Sequence, residues 1–202
     1  KEYGASDPTF SYTITTGSLV GSDSLSGSLS RVSGESVGTY AIGQGNLANS
    51  NYDITYASAN LSVTQRPITV TADAKSKEYG ATDPTLTYAI TTGSLVGSDT
   101  LSGALSRTSG EDAGTYVIGQ GSLANSNYAI TYVSANLSVA QRAITVTADA
   151  KSKEYGATDP TFTYAISSGS LVGSDSLSGS LGRASGANVG TYALNIGTLA
   201  NA

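Results

Sequence analysis

Apolar residues fall at every second position along several short stretches of this chain, with polar residues between them. Phe10, Tyr12 and Ile14 alternate with Thr9, Ser11 and Thr13; Tyr52, Ile54 and Tyr56 alternate with Asp53 and Thr55; Ile68, Val70 and Ala72 alternate with Thr69 and Thr71. A period of two carried by β-branched and aromatic side chains predicts strands buried on one face. No stretch holds a 3.6-residue apolar period long enough for a helix. Gly, Ser, Asn and Asp break the chain about every eight to twelve residues, the spacing of turns in a sandwich. The pattern predicts an all-β protein.

The same pattern recurs at long range. Lys1-Glu2-Tyr3-Gly4-Ala5 returns as Lys77-Glu78-Tyr79-Gly80-Ala81 and again as Lys153-Glu154-Tyr155-Gly156-Ala157, a period of 76 residues. Residues 1–76 and 77–152 align without a gap and differ at fifteen positions. The period exceeds that of helical solenoids and suits a small domain, so the chain reads as a tandem array. In the middle copy strands are expected at Ile68–Ala74, Thr85–Thr92, Ala104–Ser109, Gly114–Gly119, Tyr128–Tyr132 and Ala135–Val139, with one or two short ones between Leu95 and Gly103. The inward phase slips near Ala57-Ser58, which predicts a bulge or turn. It slips again across Thr64-Gln65-Arg66-Pro67, where Pro67 cannot donate to a ladder. That second slip suggests a frame of 1–66 (lacking a first strand), 67–142 (complete) and 143–202 (lacking final strands). Gln65, Arg66 and Pro67, and then Gln141, Arg142 and Ala143, are the expected linkers, and the chain is expected to be a window of a longer array.

Composition narrows the chemistry. Cys, Met, Trp and His are absent, which excludes thiol and imidazole catalysis, disulfides and Cys/His zinc sites. Ten basic against fifteen acidic residues, with no basic cluster, argue against nucleic acid as a partner. No run of about eighteen apolar residues exists to insert in a membrane.

The most specific local signal is Asp112-x-Gly114-x-Tyr116, the tyrosine-corner pattern of immunoglobulin-type sandwiches, in which the Tyr hydroxyl bonds back to upstream backbone. Gly38 and Tyr40 repeat it in the first copy and Gly190 and Tyr192 in the third; the acid does not persist. Tandem Ig-like β-sandwiches in a linear array are therefore expected, with a β-grasp-like or other small β-fold as the alternative. Ile144-Thr-Val-Thr-Ala148, Lys153-Glu-Tyr-Gly156, Asp159-Pro160, Leu171-Val-Gly-Ser-Asp175, Leu177-Ser-Gly179 and Gly190-Thr-Tyr192 form an ordered set, of which the first segment recurs at Ile68–Ala72 and the others in every copy. That set resembles the MBG (mostly-β, glycine-rich) repeats of large bacterial surface and secreted proteins. The resemblance implies an extracellular, cell-surface setting, often adhesin-like, and brings no catalytic residues. Leu194-Asn195-Ile196 departs from the Ile-Gly-Gln of the other copies.

Other chemistry is weakly supported. The recurring tyrosines could form a stacking strip, but the change from Phe10 to Leu86 at one apolar position favours core filling. The acids lie about one per loop, as in Asp83, Asp99 and Asp149, so no glycosidase pair is expected. No cofactor is expected; calcium near Asp73 and Glu78, or Asp149 and Glu154, is the only candidate. An isopeptide bond needs a buried lysine, whereas Lys75 and Lys77 sit in a polar stretch expected to be exposed. Asn60-Leu61-Ser62 matches a glycosylation acceptor by coincidence, and the Thr69/Thr71 pairs recur too rarely to bind a crystal surface. A non-enzymatic stalk or spacer is the expected function, holding a distal domain away from a surface. Its expected partners are neighbouring repeats and other copies of a fibre. The alternatives are repeats that bind carbohydrate or protein weakly by avidity, or protomers that polymerise by strand donation.

Overall fold

A computed structural model describes residues 1–201, all in strands, turns and loops, with no helix among the described residues. The strands are β1 (Ser30–Arg31), β2 (Gly38–Gly43), β3 (Ala59–Val63), β4 (Arg66–Ala72), β5 (Lys75–Glu78), β6 (Tyr88–Thr92), β7 (Ser106–Arg107), β8 (Gly114–Gly119), β9 (Tyr128–Val133) and β10 (Ala135–Ala140). There follow β11 (Thr145–Ala148), β12 (Tyr164–Ser168), β13 (Leu177–Ser178), β14 (Gly182–Arg183), β15 (Leu194–Asn195) and β16 (Ala200–Asn201). The all-β expectation holds. The phase slip near Ala57-Ser58 is explained by the second copy, where Ser134 separates β9 from β10.

Two compact units arise, and each draws on two successive copies. The first comprises Lys1–Ala74, Thr85–Thr108 and Val117–Asn136; the second comprises Lys75–Pro84, Ser109–Tyr116 and the chain from Leu137 onward.

At the centre of the first unit lies β4. Its alternation places Ile68, Val70 and Ala72 inside, at 5% exposure or less, because each apolar side chain points to the same face. Antiparallel β6 pairs on one side (Val70 with Ile90, Ala72 with Tyr88) and parallel β9 on the other (Ile68 with Ile130, Val70 with Tyr132). Leu123 and Tyr128 complete the buried cluster, with Tyr3, Leu95 and Leu101 packed around it. A second antiparallel sheet, β1-β2-β3, sets Tyr40 opposite Leu61, and β7 pairs with β8 through Arg107 and Ile118. In the second unit β5 runs parallel to β10, and β11/β12, β13/β16 and β14/β15 pair antiparallel. Leu137, Val139, Leu181 and Leu199 are its buried side chains.

The pairings β4/β9 and β5/β10 are parallel, so β4 has an antiparallel neighbour on one side and a parallel one on the other. Residue alternation reports which face is buried, not which way a neighbour runs.

The segments around Tyr12 and around Ile54, expected as strands, form none. They align with β6 and β9, whose shared partner is β4. Their period-two pattern is intact, but a ladder needs a partner to accept its hydrogen bonds. Between Leu95 and Gly103 the expected short strands reduce to one bridge, Ser102 to Ala124, and the strand expected over Ala104–Ser109 is only β7.

Of the expected linkers, Arg66 and Pro67 are the first two residues of β4, in register with Tyr128 and Ala129. The Arg66 N–H donates to the Asn127 carbonyl at 3.0 Å. Pro67 faces the side on which β6 begins only at Thr69, so its missing N–H costs the sheet nothing. Gln65 lies between β3 and β4, and Gln141, Arg142 and Ala143 lie between β10 and β11.

Candidate functional site at the junction of successive copies

The Lys-Glu-Tyr-Gly segment begins as a strand edge. Tyr3 N–H donates to the Thr64 carbonyl and Thr64 N–H to the Lys1 carbonyl, both at 2.9 Å, which clamps the segment to the end of its own copy. Gly4 then adopts φ +80° and Ala5 N–H closes a turn on the Glu2 carbonyl at 3.1 Å. Only glycine enters that region without strain, and the turn leaves the Tyr3 ring projecting. The second copy repeats the device: Tyr79 N–H donates to Ala140 at 2.8 Å, and Gly80 has φ +80°.

The receiving surface is the loop Leu95-Val96-Gly97-Ser98-Asp99 of the following copy. Asp99 N–H bonds the Val96 carbonyl at 3.0 Å, with Gly97 at φ +56°. Tyr128 supports the loop from below: its hydroxyl accepts the Val96 N–H at 2.7 Å and donates to Asp99 Oδ2 at 2.6 Å. Tyr3 donates to the same Oδ2 at 2.8 Å, and its ring meets the Tyr128 ring edge-on at 5.5 Å. Gly4 sits so close that a Cβ there would lie 2.4 Å from Val96 Cγ2. Val37 N–H to Asn127 Oδ1 (3.0 Å) and Gln65 Nε2 to the Ser126 carbonyl (3.1 Å) extend the seam.

The second unit holds the same arrangement one period on. Tyr79 donates to Asp175 Oδ1 at 3.2 Å, and a Cβ on Gly80 would lie 2.5 Å from Val172 Cγ2. The bond to Asp99, and then burial, push the Tyr3 hydroxyl above its ordinary pKa; Asp175 does the same for Tyr79, and for Tyr128 burial leads. Each phenol is thereby held in the protonated form that can donate.

Within each copy the tyrosine-corner residues come together. Tyr40 donates to the Ser36 carbonyl at 2.7 Å, Tyr116 to the Asp112 carbonyl at 2.8 Å and Tyr192 to the Asn188 carbonyl at 2.8 Å. Asp112 serves this bond through its backbone, which is why Ser36 and Asn188 stand at the same position. Gly38 and Gly114 open β2 and β8 without a positive φ, and a Cβ on Gly190 would meet nothing within 4 Å. The glycines that admit the rings are Gly34, Gly110 and Gly186, where an added Cβ would lie 2.1–2.2 Å from the tyrosine Cε1.

Beside each corner lies an ion network. Lys1 Nζ contacts Asp7 (2.6 Å) and Glu35 (2.5 Å), and Arg31 bonds the same two acids while its guanidinium lies 5.3 Å from the Tyr40 ring centroid. In the second copy Lys77 contacts Asp83 (2.7 Å) and Glu111 (2.5 Å). Lys77 was expected to be exposed; its side chain is 4% exposed, because β5 lays it against these acids. In the third copy Asp159 takes Lys153 and Arg183, each at 2.6 Å, and Ala187 replaces the glutamate. A lysine among two acids invites comparison with amide cross-linking, which needs a neutral amine and a protonated carboxyl. Arg31 and then Lys1 hold Asp7 down at about 2, and the hydrogen bonds Lys1 donates to Asp7 and Glu35 raise Lys1. Both shifts oppose condensation.

No group of three or more acids that could hold a metal occurs among the described residues. Asp73 and Asp149 instead each accept a threonine hydroxyl, from Thr87 and Thr163, at 2.5 Å.

Sequence reasoning missed the junction residues Tyr3, Gly4, Val96, Asp99 and Tyr128. The available signal was that Lys-Glu-Tyr-Gly and Leu-Val-Gly-Ser-Asp stay unvaried in all copies although both lie in loops or at strand edges.

The fold and the junction together define a tandem-repeat β protein whose copies interlock through a Tyr-Gly plug. The chain belongs to the MBG domain family of YGX type, whose signature matches residues 1–62, 68–138 and 144–202. No curated protein and no solved structure matches it.

Proposed function

We propose that these repeats are a non-catalytic spacer of a bacterial surface or secreted protein, with copies counted in the frame 1–66, 67–142 and 143–202, and that the spacer presents a distal domain. The carrying observation is the docking of Tyr3-Gly4 on Val96 and Asp99, repeated by Tyr79-Gly80 on Val172 and Asp175. A spacer must fix each copy to the next, and a flexible linker would not do so. Here the step between copies is a strand that starts immediately, at Arg66, plus a seated ring. The chemistry on display fits this role, since the closest acids are neutralised by lysine and arginine. The net charge of −5 favours solubility and mutual repulsion of neighbouring spacers. The test is small-angle scattering on arrays of increasing copy number. The maximum dimension should grow by a constant increment per copy and lose that constancy when the plug tyrosines are changed to alanine. An increment indifferent to those tyrosines would sink the reading.

A further inference from the structure

We infer that each copy is built to carry tension along the chain, through a parallel clamp between its first and last strands. This goes beyond the spacer reading, which asks only for a fixed step between copies. The clamp is written in one offset. β4 runs parallel to β9 over six pairs, from Arg66 with Tyr128 to Thr71 with Val133, and β5 runs parallel to β10 over four, from Lys75 with Leu137 to Glu78 with Ala140. Every partner lies 62 positions further along, and the same offset joins Glu2 to Thr64 in the first copy.

Direction decides what a pull does to such a ladder. A chain under tension enters β4 at Arg66 and leaves β9 at Val133, at opposite ends of two strands that run the same way. The load therefore lies along the strands and across their hydrogen bonds, and all six pairs share it. In an antiparallel hairpin the chain enters and leaves at the same end, and the bonds open one after another. β5 and β10 are loaded like β4 and β9, since the chain enters at Lys75 and leaves at Ala140. The strands β6, β7 and β8 lie in the stretch of chain that the clamp bypasses, so tension does not reach them while it holds.

The surroundings suit that load. Ile68 and Val70 of β4, Tyr128 of β9, and Leu137 and Val139 of β10 are all at 4% exposure or less. They keep water off one face of the ladders, where it would compete for the bonds. β5 is polar, yet its Lys77 side chain is held by Asp83 and Glu111, which ties that strand to loops outside the ladder. Slack before the clamp is short: Thr64, bridged to Glu2, is separated from Arg66 by Gln65 alone.

The experiment is single-molecule force spectroscopy on the full 202-residue chain, which has no native cysteine, so handles can be attached at paired substitutions of exposed residues. Gln65→Cys with Gln141→Cys pulls the middle copy along its clamp. Gln65→Cys with Ser126→Cys pulls the N-terminal ends of β4 and β9 apart, so that their ladder peels. The first pair should rupture at a force at least about twofold higher at the same loading rate, because forced unfolding follows the unfolding rate and all pairs must yield together. Rupture along the clamp should release on the order of 200 Å of chain in one step, the reach of 62 extended residues. Circular dichroism of each variant before labelling checks its fold, and the unsubstituted chain held by its termini should show a step of the same length. Equal forces in the two geometries overturn the inference, as does gradual lengthening without a step. If the forces are equal while the maximum dimension still grows by a constant increment per copy, the spacer reading survives and this inference alone fails.

Discussion

Tyr3 Oη lies 2.8 Å from Asp99 Oδ2 across 96 positions of sequence, and Tyr128 donates to that same oxygen. One carboxylate thus joins a ring from one copy to a ring of the next. Tyr3→Phe keeps the edge-on ring contact and removes the donor. It should speed amide hydrogen exchange at Val96 and Asp99, and Tyr3→Ala should speed it further, while exchange in β2 and β3 stays at the wild-type rate. Equal acceleration everywhere would mean that Tyr3 supports its own copy and not the seam.

Tyr128→Phe tests the receiving side. The ring is 3% exposed, and its hydroxyl is the acceptor for the Val96 N–H. Removing it strands that N–H and one bond to Asp99, so the loss should be roughly 1–3 kcal/mol, the cost of an unsatisfied buried group. Chemical denaturation with an unchanged m-value is the measurement. Tyr12→Phe, on an exposed ring, should fall within about 0.5 kcal/mol of wild type.

How much of this could be read beforehand depends on what each feature writes into sequence. Burial on one face writes alternation, so Gly114–Gly119 coincides with β8, and Ile68, Val70 and Ala72 were legible as inward. Strand direction writes nothing comparable, and β4/β9 came out parallel. Alternation around Tyr12 and Ile54 records a capacity to pair and does not by itself form a ladder. The junction was the hardest to see because it sets Tyr3 and Gly4 against Val96, Asp99 and Tyr128, which lie more than ninety positions away in sequence. Its trace is constancy: Phe10 gives way to Leu86 in the apolar pattern, while Tyr-Gly and Val-Gly-Ser-Asp do not vary.

The corner glycines divide into two kinds. Gly34 has φ +142°, and a Cβ there would lie 2.1 Å from Tyr40 Cε1. Gly34→Ala must strain the backbone and displace the ring, costing at least ~1–3 kcal/mol. Gly38→Ala has no close contact below 3.9 Å and should lie within about 0.5 kcal/mol of wild type. Thermal melts of the two variants decide it; similar losses would place the turn at Gly38.

Ala187→Glu should rebuild a network member in the third copy. Glu35 and Glu111 occupy that position in the others, where the lysine side chains are 5% and 4% exposed against 33% for Lys153. The variant should melt at a higher temperature at low ionic strength, and the gain should vanish near 1 M salt, where the Debye length is about 3 Å. A gain that survives high salt would point to packing of the glutamate stem and not to charge.

Acid and alkali should unfasten different parts of the molecule. Arg31 with Lys1, and Arg183 with Lys153, hold Asp7 and Asp159 at about 2, below the roughly 3.9 of an unfolded aspartate. A depressed carboxylate lends stability that is complete above its unfolded value and disappears as pH falls through the folded one, so the loss belongs between about pH 4 and pH 2. Asp7→Asn should lower stability at neutral pH and flatten this acid limb. The junction phenols are shifted the other way: the bond to Asp99 raises Tyr3, the bond to Asp175 raises Tyr79, and burial raises Tyr128. A raised phenol contributes fully below its unfolded pKa, near 10, and the contribution is lost as pH climbs through the higher folded value. Phenolate would then face carboxylate across the seam. Hydrogen exchange cannot be followed there at such pH, so tyrosinate absorbance read beside scattering dimensions is the measurement. Ionisation of the junction tyrosines above pH 10 should coincide with loosening between copies, and Tyr3→Phe with Tyr79→Phe should remove that coincidence while leaving the acid limb as it was.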